Sequence, residues 1–258
     1  MIKLMKHVLV TVCGRAGSKG FRNKNLKSFC GKPMVYYTLS TALLFSEKRP
    51  DLQVDICLNT DSPELAALVA MCYPEVTLLE RPADLGGDRV PKMAVFQHSL
   101  TAMEARNGYL YDFHIDLDIT SPLRRENDLA NAVAMFEAEE GLDLVMSCVP
   151  SRRNPYFNMA KLDENGFAKR IIENQNTSRQ QAPACFDINA SLYVFSRDML
   201  VDNEKSDLWK GKVRLYEMMD TGILDIDSEE DYLLMEAIAS HLYANDSSFA
   251  AIRNAIRE

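Results

Sequence analysis

Two residue patterns in this chain could do chemistry: a basic, glycine-rich stretch and pairs of aspartates set two apart. The stretch is Cys13-Gly14-Arg15-Ala16-Gly17-Ser18-Lys19-Gly20-Phe21-Arg22-Asn23-Lys24-Asn25. Its glycines let the backbone turn tightly and bring N–H groups close to a bound group. Arg15, Lys19, Arg22 and Lys24 place four cations within ten residues. Backbone donors and cations between a strand and a helix make a cradle for phosphate. The spacing of Gly14, Gly17 and Gly20 is G-x-x-G-x-x-G, which is neither the P-loop nor the dinucleotide fingerprint. The bland alternative is a basic surface loop. Charge argues against it: residues 1–46 hold eight Lys or Arg and no Asp or Glu, in a chain of net charge −8. Such an island calls for an anionic small-molecule ligand.

Asp225-Ile226-Asp227 is the sharper of the aspartate pairs. In extended backbone residues two apart point the same way, so both carboxylates can face one cation. Hard oxygen donors of this kind suit Mg²⁺, which takes one or two carboxylates together with substrate phosphate oxygens. The competing reading makes Asp227 a helix cap, with Glu230 completing a capping box; Ser228 can cap instead and free both aspartates. Asp116-Leu117-Asp118 is a second pair at a strand end, with Asp118 a candidate further ligand. His7, His98, His114 and His241 have no metal-ligand spacing.

The elements that must position these groups follow from apolar periodicity. Strands are expected at His7–Val12, Val54–Leu58, Val76–Leu79, Phe113–Leu117, Asp143–Val149, Ile188–Phe195 and Val213–Tyr216. Helices are expected at Met34–Phe45, from a Ser62 cap to Met71, at Lys92–Arg106 and Asn127–Glu139, up to about His241, and at Ser247–Arg257. Strands alternating with helices imply a three-layer α/β fold around a mostly parallel sheet, as one domain over 1–258. Ligands bind such sheets beyond the carboxyl ends of the strands, where both the glycine stretch and Asp118 fall. Residues 151–186 break the pattern and read as a hairpin excursion presenting Tyr156 and Phe157, an interface signal. Met71 and Met93 are expected in the core, and Trp209 as a packing anchor.

Composition bounds the rest. At 258 residues, 47% hydrophobic and 26% charged, the chain is ordinary for a globular domain. Its pI near 5.2 argues against nucleic acid as a partner. No apolar run reaches spanning length, the N-terminus runs straight into a strand, and six cysteines include no C-x-x-C pair. A cytoplasmic protein with no membrane association is expected, with Cys13, Cys57 and Cys148 as buried thiols.

The opening R-x-x-S-K-G-x-x-x-K-N arrangement resembles the signature of the CMP-acylneuraminate (nonulosonic acid) cytidylyltransferases. The resemblance recurs, in order, at Arg81-Pro82-Ala83-Asp84-Leu85, at Thr120-Ser121-Pro122-Leu123-Arg124, at Arg179-Gln180-Gln181-Ala182-Pro183 followed by Asn189, and at Asp225-Ile226-Asp227. It implies a Rossmann-like nucleotidyltransferase (nucleotide-diphospho-sugar transferase) architecture. The implied reaction is attack of a sugar's anomeric hydroxyl on the α-phosphorus of CTP, with release of pyrophosphate. By the same resemblance Arg15, Ser18, Lys19, Lys24 and Asn25 would hold the triphosphate, Arg15 and Lys24 nearest the reacting phosphates, and Arg81 would lie against the cytidine. Asp225 and Asp227 would bind Mg²⁺, with Asp227 a candidate proton acceptor. Arg179, Gln180, Asn189, Arg170 and Tyr156 would meet an acidic nine-carbon sugar. The family's homodimer has the excursion cross to its partner. Two positions depart from the sialic acid enzymes: Asp118 stands where they carry Gln, and Ala190-Ser191 stands for Gly-Ala.

Three rivals remain. A glycosyltransferase could use the aspartate pairs but needs fewer cations than a triphosphate does. A nucleotidyltransferase acting on a sugar 1-phosphate differs in its acceptor. A nucleotide-sensing module would leave Asp225 and Asp227 without a role.

Overall fold

The computed structural model describes residues 5–17, 21–87, 89–125, 127–175, 178–202, 207–222 and 225–257. In chain order its main elements are β1 (Lys6–Gly14), β2 (Ser28–Phe29), β3 (Lys32–Pro33), α1 (Met34–Lys48), β4 (Leu52–Thr60), α2 (Pro63–Cys72), β5 (Thr77–Glu80), α3 (Lys92–Asn107) and β6 (Phe113–Leu117). There follow α4 (Asp128–Ala138), β7 (Leu144–Pro150), β8 (Ala160–Leu162), β9 (Ala168–Arg170), β10 (Phe186–Ser196), α5 (Arg197–Val201), β11 (Val213–Glu217), α6 (Glu229–Asn245) and α7 (Ser247–Asn254). Seven strands form one sheet in the order β11-β7-β10-β6-β1-β4-β5.

The alternation of β1 explains the layers. Val8, Val10 and Val12 join one core with residues of α1, α2, α4, α6 and α7. Leu9 points the other way into a second core with Phe96, Leu100 and Met103 of α3 and Met199 and Leu200 of α5. Helices therefore cover both faces. The pairs β1–β4, β1–β6, β4–β5 and β7–β11 are parallel, and β10 is antiparallel to both of its neighbours. From β1 the chain builds outward to β4 and β5, then returns to place β6 on the other side of β1. That reversal is the switch point where ligands bind such sheets.

The excursion contains the expected hairpin, β8 paired antiparallel with β9, turned by Asp163 and Gly166. Tyr156 and Phe157 are half-buried, however, and the apolar side chains it exposes are Leu162, Phe167, Met159 and Ile172. Two core expectations fail. Met71 is 73% exposed and Trp209 67% exposed, because each faces outward from an element whose burial is carried by other residues. Met93 is buried as expected, as are Cys57 and Cys148, whereas Cys13 is half-buried. No helix among the described residues is long and apolar enough to cross a membrane.

One buried titratable group gives the fold a pH signature. His114 has no exposed surface; its Nε2 pairs with Thr11 Oγ1 at 2.9 Å, while its Nδ1 has no partner among the described residues. Burial pulls its pKa from 6.5 down to about 3. Between those values the unfolded chain holds a proton that the folded chain does not, so stability is lost as pH falls from 6.5 towards 3. Denaturant titrations across this window should show a steeper pH dependence for the wild type than for His114→Gln, by up to about 1.4 kcal/mol per pH unit.

Candidate active site

Parallel register brings three strand ends together. Gly14 of β1 pairs with Thr60 of β4, and Val12 with Leu117 of β6. The residues just beyond, Arg15–Gly17, Asp61 and Asp118, therefore emerge at one end of the sheet. Gly14 is closely packed: a Cβ there would lie 2.5 Å from Leu65 Cδ2 and 2.9 Å from Ile119 Cδ1, so both side chains would have to move to admit one. Gly17 adopts φ +69°, which glycine tolerates without strain.

Past the loop, Asn23 in a left-handed conformation starts a short turn, Lys24–Leu26. The turn aims Lys24 at the D-I-D segment, where its Nζ donates to Asp227 Oδ1 at 2.8 Å and to the Ile226 carbonyl at 3.3 Å. Ile226 anchors that segment. Its side chain is fully buried and its N–H donates to the Thr120 carbonyl at 2.9 Å, leaving Asp225 and Asp227 to face the cleft. Ser228 caps α6 in a reciprocal box with Asp231. Both aspartates are thus spared from capping, and Asp231 takes the place expected for Glu230.

The resulting cleft measures about 320 Å³ and is lined by Arg15, Lys24, Asn25, Arg81, Lys92, Asp118, Asp225 and Asp227, with Leu85, Val90, Val95 and Phe96 as an apolar wall. Asp118 is fully engaged: Oδ1 accepts from the Thr120 N–H at 2.8 Å and its hydroxyl at 2.7 Å, and Oδ2 accepts from Lys92 Nζ. Burial works to raise the Asp118 pKa, but the Lys92 ammonium and the Thr120 bonds outweigh it and hold the carboxyl well below the usual range. Lys92 is pushed up in turn, chiefly by the Asp118 charge. Beneath them Asp116, buried and bonded to Thr11 Oγ1 at 2.9 Å, is raised to about 6, first by burial and further by Asp118. Burial, then Asp227 and Asp118, raise Asp225. Burial and the Asp116 charge push the Cys13 thiol up, so it is no ready nucleophile.

This donor set fits a hard cation in a particular way. Among the described residues no three His, Cys, Asp or Glu form a ready cage. Asp225 and Asp227 nevertheless line the cleft together, and Asp225 is raised by burial and then by the Asp227 and Asp118 charges, with Lys24 and Lys92 offsetting only part of the effect. Two carboxylates awaiting phosphate oxygens are what Mg²⁺ takes.

Other expected residues lie elsewhere. Arg81 lines the cleft, but its guanidinium is tied to Asn59, through Nε to Oδ1 at 2.8 Å and Nη2 to the carbonyl at 3.0 Å. It stiffens the wall. The Ala16 N–H, part of the expected cradle, donates to Asp61 Oδ1 at 2.7 Å. Ser18 and Lys19 fall outside the described residues. Asn189 is buried in β10, accepting from Ser147 Oγ and reaching Met218 Sδ at 3.5 Å. Tyr156, Arg170, Arg179 and Gln180 lie in the excursion and do not line the cleft of their own chain. Arg179 donates to the Ser151 carbonyl at 3.2 Å. Lys92 and Asp61 were not foreseen; Lys92 follows the breaker-rich connection after β5, and Asp61 directly follows β4 at the binding end of the sheet.

Comparison with known proteins decides the family. The profile described as Cytidylyltransferase matches residues 9–165, more than half of the chain. The chain belongs to the cytidylyltransferase family. This cytidylyltransferase is 35% identical over 236 residues to the CMP-N,N'-diacetyllegionaminic acid synthase of Campylobacter jejuni, covering 92% of this chain and 96% of that one. It is 34% identical over 232 residues to the post-translational flagellin modification protein B of Campylobacter coli, covering 90% and 94%. Among solved structures, the CMP:2-keto-3-deoxy-manno-octonic acid synthetase complexed with CTP shares the fold, with a TM-score of 0.66 at 16% identity over 92% of this chain and 99% of that one. In this cytidylyltransferase Gly14 packs closely against Leu65 and Ile119. Gly14→Ala should cost about 1–3 kcal/mol through overpacking against Leu65 and Ile119, read as a lowered thermal midpoint.

Proposed function

We propose that this cytidylyltransferase transfers CMP from CTP to the anomeric hydroxyl of a nonulosonic acid, releases pyrophosphate and uses Mg²⁺. The observation that carries the reading is the meeting, at one end of β1 and β6, of the glycine loop's cations with the Asp225–Asp227 carboxylates. A triphosphate needs the former, and a cation bridging to its phosphates needs the latter.

The mechanism follows from charge. As the sugar hydroxyl attacks the α-phosphorus and pyrophosphate leaves in line, negative charge builds on the phosphate oxygens. Arg15 and Lys24 stand where they can stabilise it, and positioned charge supplies most of the catalysis in phosphoryl transfer. Asp225 and Asp227 would hold the Mg²⁺; Asp118 would join them only in exchange for its Lys92 bond. Held by those residues, the ion would supply positive charge for phosphate oxygens and would lower the pKa of a hydroxyl. The Asp227 oxygen not held by Lys24 is the proton acceptor in this reading. Asn25 holds the loop through the Arg15 carbonyl, and Arg81 stiffens the wall on which the cytidine would rest.

A homodimer belongs to the same proposal. Leu162 and Phe167 of the hairpin are 72% and 69% exposed, and apolar patches of this kind mark interaction surfaces. Arg170, Arg179, Gln180 and Tyr156 do not line their own cleft, so a second copy is the route by which they would meet the sugar. The six cysteines are unpaired, which suits the cytoplasm. Because one relative is named for diacetyllegionaminic acid, that acid leads the list of acceptors.

The test is pyrophosphate release from CTP and Mg²⁺ with N,N'-diacetyllegionaminic, pseudaminic and N-acetylneuraminic acids, with glucosamine 1-phosphate as contrast. Turnover is expected with a nonulosonic acid, abolished by chelation and lowered about 100-fold or more in Asp225→Asn and Asp227→Ala. Turnover only with the sugar phosphate, or CTP binding without release anywhere, would overturn the proposal.

A further inference from the structure

The glycine loop and the end of β4 are joined at a single peptide bond. The carbonyl of Arg15 accepts from Asn25 Nδ2 at 3.1 Å, and the N–H of Ala16 donates to Asp61 Oδ1 at 2.7 Å. Both groups belong to the planar unit linking residues 15 and 16. Held at its two polar atoms from opposite sides, that plane cannot turn about the bonds that would swing Arg15 relative to β1. A charged acceptor makes the Asp61 contact the stronger kind of hydrogen bond.

Asp61 reaches this position because β1 and β4 run parallel with Gly14 beside Thr60. Its other oxygen faces Gly86, outside the lining of the main cleft. A methyl group on Gly86 would come within 2.8 Å of Asp61 Oδ2, so the bare glycine makes room for the carboxylate. Arg15 lines the main cleft and also an adjoining pocket of about 260 Å³ shared with Gly17, Asn25 and Glu64. The direction of Arg15 therefore bears on both spaces.

We propose that Asp61 is a positioning residue for the nucleotide: by fixing the Arg15–Ala16 peptide it sets the direction from which Arg15 meets the triphosphate. Asp61 lines neither of the two spaces that Arg15 borders; its carboxylate is turned to the Ala16 amide and to Gly86, so it would act on the nucleotide through the loop. The inference rests on the reading of the cleft as a CTP site.

Kinetics and calorimetric CTP titration on the whole chain test it. Asp61→Ala should raise both KM and Kd for CTP about tenfold or more, with the acceptor KM within about twofold of wild type. Asp61→Asn keeps an oxygen acceptor and should recover most of the loss. Gly86→Ala, which presses on Asp61, should weaken CTP several-fold alone and add almost nothing in the Asp61→Ala background. Wild-type CTP affinity in Asp61→Ala, or full additivity with Gly86→Ala, overturns the inference while leaving the function intact. An equal rise in both KM values with a lowered thermal midpoint also overturns it, since that is the mark of general loosening. A wild type that binds no CTP overturns the inference and the functional reading together.

Discussion

One buried guanidinium holds the binding end of this sheet together. Arg124 is 1% exposed. Its Nη2 donates to the Asp118 carbonyl and, at 2.7 Å, to the Ser191 carbonyl, and its Nη1 donates to Thr38 Oγ1 at 3.2 Å. Three elements, α1, the exit of β6 and the bulged part of β10, are tied through one side chain. Burial draws its pKa down to about 10, against the pull of Asp118, Asp116 and Asp128. Ala190 has φ +52° and the register of β10 against β7 shifts between Ile188 and Tyr193. At this bulge the Ser191 carbonyl keeps one backbone donor, the Asp118 N–H at 3.1 Å, and Arg124 adds charged donors to the same oxygen. A hydrogen bond to a charged group contributes about 1.5–3 kcal/mol.

The electrostatics of the cleft follow from that anchor. With the Asp118 carbonyl held by Arg124 and Thr38, its carboxylate is free to meet Lys92 and Thr120. Across the cleft, Ile226 fastens to the Thr120 carbonyl and presents Asp225 and Asp227 to the same space. Burial first, and then the charges of neighbouring carboxylates, raise the pKa values of Asp116 and Asp225. Lys92 and Lys24 offset part of that negative charge within the protein. The site therefore sets Arg15, Lys24, Arg81 and Lys92 beside Asp118, Asp225 and Asp227 in one cleft, and fixed charges of this kind act on a reacting phosphate with little reorganisation.

Much of this was legible in the sequence for identifiable reasons. Apolar alternation in residues 7–12 and 113–117 marked the central strands, and Ser62 and Ser228 marked helix starts. The order of the separated motifs pointed to the family. What escaped depends on tertiary pairing. Nothing in the local pattern says that Lys92 will find Asp118 or that Asp61 will find the Ala16 amide. An apolar run such as Ile188–Phe195 announces a strand but not its direction, so the antiparallel insertion of β10 was invisible. Arg81, expected against the nucleotide, lines the cleft and also braces Asn59, a second task that a spacing motif does not reveal. The excursion residues illustrate the same limit between chains: spacing cannot say whose cleft a hairpin will reach.

The most direct test of the central claim is to follow the label of CTP carrying ³²P at its α-phosphorus, incubated with the enzyme, Mg²⁺ and N,N'-diacetyllegionaminic acid. The account predicts that the label moves into a sugar-linked product, while label at the β or γ position leaves as pyrophosphate. Label that stays with free nucleotide, or γ-label that appears on the sugar or as inorganic phosphate, would contradict it.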